Sequence, residues 1–425
     1  MKKINIGILG CGNIGSKVAE LLQKNSYEKQ LNGDKIFLKS IAVKNLTKKR
    51  ENINTEDIIT DNPFIIVNDP NIDIIIELIG GIEPAKELII TALKNKKSVI
   101  TANKELLASS YGSDIINCAN EMNVDLFYSA SVCGAIPILE CIKKLSLGDN
   151  INRILGIVNG TTNYILTQMY EKNVSFEDAL KEAQLLGFAE SNPSKDIDGV
   201  DSSSKCVLMT NIAFNTSKTI HDVLCQGISN ISKEDIIISK KINHTIKLIA
   251  ITEKLENNEI SIRINPMLIP NNHSFVNVKN EYNAVIIQSE NADDLFFQGK
   301  GAGPLPTSSS IICDLISILQ NKNNKSNKNN IIIDKNLIIK QKHEIISKYL
   351  IRIIIKDKTQ NLHNIIKCFE NNKLNIKQID TSINDKFEVI IITDFNYEYC
   401  LTSTINSLLH CHNVDKIVSV FRFLY

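Results

Sequence analysis

Three things are missing from this chain of 425 residues. It has no long apolar run: Ile74-Ile75-Ile76 is cut short by Glu77, and nothing approaches the roughly 18 apolar residues a membrane span needs. Its 10 cysteines include no Cys-x-x-Cys pair, which excludes a disulfide framework and a zinc ribbon and leaves reduced thiols. The formal net charge is only +1, and no basic stripe is interleaved with aromatics, so nucleic acid is not an expected partner. The start, Met1-Lys2-Lys3-Ile4, imitates a signal peptide, but its apolar stretch ends at once in a glycine turn with no cleavage site behind it. A cytosolic protein is expected. His410-Cys411-His412 carries no metal expectation, because consecutive residues of a helix or strand cannot all face one ion.

What is present reads as an α/β protein long enough for two or three domains. Ile4 to Leu9 is a short apolar run ending in Gly10-Cys11-Gly12-Asn13-Ile14-Gly15, after which Val18, Leu21 and Leu22 recur at helical spacing. Further strands are expected at Ile36 to Val43, Ile65-Ile66-Val67, Asp73 to Leu78, Ser98 to Ile100 and Asp125 to Tyr128, with helices at Pro84 to Lys94 and Tyr111 to Met122. That order predicts a doubly wound parallel sheet ending near residue 130. From about Ile136 to Gln320 longer helices mix with strands, and Asn321 to Asn330 is a polar, low-complexity linker. Beyond it, strands are expected at Lys348 to Lys356, Ile376 to Ser382, Phe387 to Thr393 and Val414 to Phe423, with helices at Leu362 to Phe369 and Leu401 to Leu409. This βαββαβ order is that of a ferredoxin-like module. The expected parts are 1–135, 136–320, a linker at 321–345, and 346–425.

Several segments carry chemistry. The Gly10, Gly12, Gly15 turn follows a strand and opens a helix, the context in which a backbone approaches a pyrophosphate. Where an NAD-selective site would place an acid, the second strand ends in Val43-Lys44, followed by Lys48, Lys49 and Arg50. Those cations suit a 2′-phosphate, or else form a solvated basic helix start. Thr101-Ala102-Asn103-Lys104 follows a strand, so Lys104 is placed either to meet a ligand or to be solvated behind an Asn103 cap. Ser131 to Pro137 is rich in small residues, and its carbonyls either converge on a hard cation or make a tight crossover. Asn159-Gly160-Thr161-Thr162-Asn163 either contacts a ligand or caps a helix, and Gly299 to Gly303 either approaches a cofactor or turns. Between Glu190 and Lys205 lie four carboxylates and then a lysine leading into the apolar Cys206 to Met209. Asp201 and Lys205 are four residues apart on one helical face. Either Asp198 caps that helix and Lys205 pairs with Asp201, or Lys205 is a desolvated proton-transfer lysine.

Taken together, Gly10 to Gly15, Asp69-Pro70, Ile76 to Gly81, Thr101 to Lys104, Ser131 to Pro137, Asn159 to Asn163, Glu190 to Lys205 and Gly301 to Gly303 resemble, in order, the homoserine dehydrogenase family. The resemblance covers nearly the whole chain. It implies a Rossmann-type doubly wound sheet, an α+β catalytic and dimerisation domain and a C-terminal ACT-like module. It also implies an NAD- or NADP-dependent interconversion of L-homoserine and L-aspartate 4-semialdehyde. Lys205 then corresponds to the catalytic lysine, Lys104 to a second lysine between substrate and cofactor, and Asp201 and Glu190 to the residues that anchor the substrate. Gly10, Gly12, Asn13, Ile14, Gly15, Val43, Lys44, Thr101, Asn103, Lys104, Gly187 and Gly303 would line the dinucleotide. A monovalent cation such as sodium would be held by backbone oxygens at Val132, Gly134 and Ile136, although Ser129 stands where the family commonly has a glutamate. A homo-oligomer, dimer or tetramer, is implied, as is a threonine effector at the ACT-like module. There the usual Asp-x-Pro-Gly turn is Asp357-Lys358-Thr359-Gln360, which weakens the effector expectation. The alternatives are a dehydrogenase of another amino-acid semialdehyde and a non-catalytic nucleotide- and amino-acid-binding regulator.

Overall fold

The computed structural model describes residues 3–24, 33–50, 52–54, 57–323, 336–356, 361–381 and 388–425. The chain divides into two compact units made of non-contiguous segments, so they do not coincide with the contiguous spans read from the sequence. Unit 1 comprises Met1–Ile154, Ser203–Asp222 and Asn283–Lys335; unit 2 comprises Leu155–Ser202, Val223–Tyr282 and Asn336–Tyr425.

Unit 1 contains a six-stranded parallel sheet of β1 (Lys3–Leu9), β2 (Lys35–Ala42), β3 (Ile59–Thr60), β4 (Ile74–Glu77), β5 (Ser98–Thr101) and β6 (Leu126–Phe127). Its spatial order is β3-β2-β1-β4-β5-β6, with every neighbouring pair parallel. The strand order reverses between β1 and β4, where such sheets bind ligands. All four residues of β4 are buried, as are all four of β5, because helices cover both faces of the sheet. The register sets Ile74 beside Ser98 and Glu77 beside Thr101. Helices Asn13–Lys24 and Pro304–Asn323 share one core with the sheet, built on Ile6, Ile8, Val18, Ile76, Ile311 and Leu315.

One expectation fails here. Ile65-Ile66-Val67 is not a strand but lies within the helix Pro63–Asn68. Asn62 caps that helix by accepting from the Phe64 N–H, and Pro63 occupies its first turn with a preset φ. Local capping outweighs the β-branched composition.

In unit 2, His244–Lys254 and Glu259–Pro270 pair antiparallel from Pro270↔His244 to Ile260↔Lys254. The C-terminal module continues from this sheet, since Val414–Phe423 lies parallel to Glu259–Pro270 at Met267↔Arg422. Across the module the strands run Val414–Phe423, Tyr349–Ile355, Glu388–Thr393, Ile376–Asp380, and all three pairings are antiparallel. Helices Asn361–Asn371 and Glu398–Leu409 supply Ile365, Phe369, Leu401 and Leu408 to its core. The βαββαβ order is therefore present. The Asp357–Gln360 turn and most of the low-complexity segment lie outside the described residues.

Candidate active site

Unit 1 presents a glycine turn at the switch point. Gly10 has φ 96°, and a β-carbon there would stand 2.7 Å from Leu78 O. One on Gly15 would overlap Gly10 O, whereas Gly12 has open space on that side. The turn leads through Asn13 and Ile14 into a 12-residue helix. Free backbone N–H groups at such a helix start, beside a turn with room for a ligand, suit a pyrophosphate.

At the end of β2, Val43 is buried and its N–H donates to Thr60 O at 2.8 Å. Lys44, Lys48 and Lys49 are exposed. The loop that carries them is folded on itself: Asn45 Oδ1 accepts from Thr47 N and Lys48 N, and Arg50 donates to Asn45 O and Lys48 O. The three lysines remain a cationic rim, while the Arg50 guanidinium holds the loop.

Thr101 and Asn103, expected to line the cofactor, are joined by hydrogen bonds to Glu77 and to the 79–81 turn. Thr101 Oγ1 donates to Glu77 Oε2 at 2.6 Å and accepts from Asn103 N at 3.0 Å. Glu77 Oε1 accepts from Ile79 N at 2.7 Å and Gly80 N at 3.1 Å. Asn103 Oδ1 caps the helix Lys104–Leu107 through Leu106 N, and Asn103 Nδ2 donates to Gly81 O at 2.7 Å. Asn103 is the cap, as one reading of this segment has it, and Lys104 is the first residue of the capped helix.

In the Ser129–Ile136 segment, two of the carbonyls expected to face a cation also accept hydrogen bonds. Gly134 O accepts from Ser310 Oγ at 2.5 Å and Ile136 O accepts from Ile138 N at 2.7 Å. The carboxyl that reaches Ser129 is Asp314, at 3.0 Å from its N–H, and burial pushes the Asp314 pKa up to about 7. These bonds draw the segment into a tight crossover. Its tightness is also why Gly134 and Gly301 pack directly, a β-carbon on Gly134 standing 2.7 Å from Gly301 O. Gly303, with φ 114°, begins the turn into the helix Pro304–Asn323, its O accepting from Thr307 N.

Unit 2 contributes the carboxylates. Asn159 caps the helix Gly160–Lys172 through Thr162 N at 2.8 Å, and its Nδ2 donates to Asp196 Oδ1 at 2.7 Å and to Asp201 Oδ2 at 2.8 Å. One amide thus holds two acids that would otherwise repel. Thr161 Oγ1 donates to Phe188 O at 2.6 Å, fixing the segment after Gly187, whose φ is 77° and whose Cα faces open space. Glu190 is exposed nearby in sequence. Asn159 and Asp196 were not singled out as site residues; the Asn159–Asn163 segment at a strand end was the available signal.

Asp201 lies in the first turn of the helix Val200–Ala213. Asp198 does not cap that helix: it closes the preceding one, Ser194–Ile197, and Gly199 at φ 85° separates the two. Gly199 takes the break because an L-residue there is strained. Lys205, in unit 1, is 8% exposed between buried Ser202–Ser204 and buried Cys206–Met209. Most of the Lys205 side chain is thereby removed from water.

Beneath the Asn159 cap, unit 2 buries a second lysine. Lys247 Nζ donates to Asn163 Oδ1 and Val278 O, both at 2.8 Å, and to Thr167 Oγ1 at 3.4 Å. Asn163 Nδ2 donates in turn to Val278 O, Asn280 O and Tyr282 O. The 278–282 loop is held so close that a β-carbon on Gly160 would stand 2.7 Å from Glu281 O. Burial pulls the Lys247 pKa down to about 7.

Among known proteins, the family model for the NAD-binding domain of homoserine dehydrogenase matches residues 10–129, and that for homoserine dehydrogenase itself matches residues 137–316. The chain is 35% identical to a homoserine dehydrogenase of Bacillus subtilis over 99% of its own length and 98% of that protein's. It is similar in structure to a homoserine dehydrogenase from Thiobacillus denitrificans, with TM-score 0.93, 31% identity and coverage of 100% and 99% of the two chains. A hyperthermophilic archaeal homoserine dehydrogenase in complex with NADPH is similar at TM-score 0.64 and 26% identity, over 78% of this chain and 100% of that one.

Proposed function

The chain belongs to the homoserine dehydrogenase family, and from that premise we propose that it interconverts L-homoserine and L-aspartate 4-semialdehyde with Lys205 as its proton-transfer group. It is an NAD(P)-dependent oxidoreductase, and the relatives favour neither a non-catalytic regulator nor a different semialdehyde. The nicotinamide, when bound, accepts the hydride from the hydroxyl-bearing carbon of homoserine or returns it to the semialdehyde. A β-carbon at Gly12, Gly80 or Gly81 would meet open space, which supports close approach of such a dinucleotide to these turns.

The chain's own residues manage the proton and the substrate's charges. In the oxidation, Lys205 Nζ, entering as the neutral amine, takes the hydroxyl proton while the C–H electron pair leaves and the carbonyl forms. In the reduction, Lys205 as ammonium gives that proton back to the developing alkoxide. The burial of Lys205 in the helix Val200–Ala213 supports this role, because a side chain withdrawn from bulk water exchanges its proton with a bound substrate rather than with solvent. Asp201 and Glu190 recognise the substrate's ammonium, with Asp196 beside Asp201. Lys104 opens its helix at a strand end as the second cation and stabilises oxyanion charge. The single observation that carries the reading is the Asn159 amide holding Asp196 and Asp201 together.

The exposed Lys44, Lys48 and Lys49 support NADP as the preferred form. The ferredoxin-like strand order supports an ACT-like, amino-acid-binding role for the C-terminal module. Threonine as its effector, a homo-oligomeric state and a cytosolic setting belong to the same proposal. Among the described residues no helix is long and apolar enough to cross a membrane. With homoserine and NADP, K205A is expected to lose turnover by about 10²–10⁴-fold, followed at the reduced-nicotinamide absorbance, while cofactor affinity persists. Undiminished turnover in that variant would refute the assignment.

A further inference from the structure

In unit 1, Glu77 is fully buried at the end of β4, and the groups that meet its carboxylate are hydrogen-bond donors. Two are the backbone N–H groups of Ile79 and Gly80, and the third is the Thr101 hydroxyl. A hydroxyl has one proton. Because Thr101 gives its proton to Glu77, its oxygen is left to accept from Asn103 N, and Asn103 reaches back to Gly81 O. The bonds close into a ring: Glu77, the 79–81 turn, Asn103, Thr101 and Glu77 again. Thr101 is fully buried and Asn103 is 6% exposed, so the links through Thr101 are shielded from water. Gly80 and Gly81 have φ 79° and 72°, and a β-carbon on either would meet open space. The turn is therefore pinned from behind and clear in front.

We propose that Glu77 is a positioning residue for the reaction: through this ring one buried carboxylate sets the glycine turn that faces the cofactor and the cap of the helix that carries Lys104. The proposal rests on the reading of Lys104 as an active-site lysine, and its two arms separate. The direct arm runs from Glu77 Oε1 to the turn. The relay arm runs from Oε2 through Thr101 to Asn103. The polarity of the ring requires a carboxylate rather than merely a polar group of that size. A glutamine amide turned one way would give Thr101 a second donor and orphan its proton; turned the other way, it would set its N–H groups against those of Ile79 and Gly80. Hydrogen bonds to charged groups are each worth on the order of tenfold or more when lost from a buried site.

The test compares E77Q, T101V, T101S and K104A in the full chain, reading NADPH affinity by fluorescence titration, KM and kcat with homoserine, and thermal midpoint. E77Q is expected to weaken NADPH binding and to lower kcat, each by on the order of tenfold. T101V cuts the relay alone, so it is expected to lower kcat with NADPH affinity nearly kept, and T101S to restore what T101V loses. In the K104A background the kcat effect of T101V is expected to vanish, since there is no lysine left to position. Full NADPH affinity and turnover in a folded E77Q overturns the proposal, as does a T101V loss that persists undiminished in K104A. If E77Q does not fold, T101V and T101S decide the relay arm by themselves. An unaltered kcat in K104A alone refutes the active-site reading of Lys104, whereas NADPH affinity in E77Q still decides the direct arm.

Discussion

The two units bury charge in different ways. In unit 1, Glu77 is surrounded by donors from a turn and a neighbouring strand, so its charge shapes a loop. In unit 2 the buried guanidiniums are paired with carboxylates from other elements, so their charge joins parts of the chain. Arg352, on a module strand, reaches Glu388 at 2.6 Å, Ser232 at 3.0 Å, and Asp235 across the chain on the helix Lys233–Lys241. Ser419 donates to the same Asp235 at 2.6 Å. Arg422 repeats the arrangement with Glu398 and with Gln226 at 3.1 Å. Donors on a tight turn give local precision; ion pairs between distant segments give docking. The C-terminal module of unit 2 is thus fixed to its Lys233–Lys241 helix by charges that lose most of their hydration when they meet.

The largest expected effect tests that contrast directly. R352L strands Asp235 and Glu388 in the interior, and urea unfolding is expected to show a loss of about 3–5 kcal/mol. A loss below about 1 kcal/mol would mean that the pairs do not dock the module, and the contrast between the units would fail. The triple replacement of Arg352, Asp235 and Glu388 by apolar residues of similar size is expected to recover most of the loss, because the uncompensated charge is then gone.

Next comes the pH dependence, where the two units carry opposite signs. Lys247, in unit 2, has a native pKa lowered to about 7, against roughly 10.4 for an unfolded lysine. Between those values the unfolded chain binds the proton and the folded chain does not, so stability rises with pH, at most by about 1.4 kcal/mol per unit. Asp314, in unit 1, has a native pKa raised to about 7, against roughly 3.9 when unfolded. There the folded chain holds the extra proton, and stability falls as pH rises through that window. Denaturant titrations across about pH 4 to 10, chosen to cover most of both windows, are expected to lose the upper slope in K247M and the lower slope in D314N. Unchanged slopes would break the assignment of either group.

The smallest effect belongs to the rim of unit 1. Replacing Lys44, Lys48 and Lys49 by alanine is expected to raise KM for NADP several-fold, to leave NAD nearly unaffected, and to matter less in high salt, since exposed charges are screened. Equal loss for both cofactors would remove the 2′-phosphate reading.

Much of this was legible beforehand, for physical reasons. The β1–Gly10–helix unit announces itself through periodicity and glycine, because a parallel strand buried on both faces must be apolar and its turn must admit a close backbone approach. The C-terminal module could be read in the same way. The Ile65–Val67 segment misled because Asn62 and Pro63, two residues, outweighed three β-branched or apolar ones. Asp198 misled because Gly199 breaks the helix between it and Asp201.

The sequence by itself determined the kinds of element, the order of the parts, the family resemblance and the lysine entering an apolar helix, since these depend on neighbours a few residues apart. Only the tertiary structure decided that Glu77 stands beside Thr101, that one Asn159 amide holds Asp196 and Asp201, and that Arg352 meets Asp235. Those pairings depend on strand register and on segments brought together from far along the chain. A buried charge names its need for a partner in the sequence, but which partner meets it is set by packing.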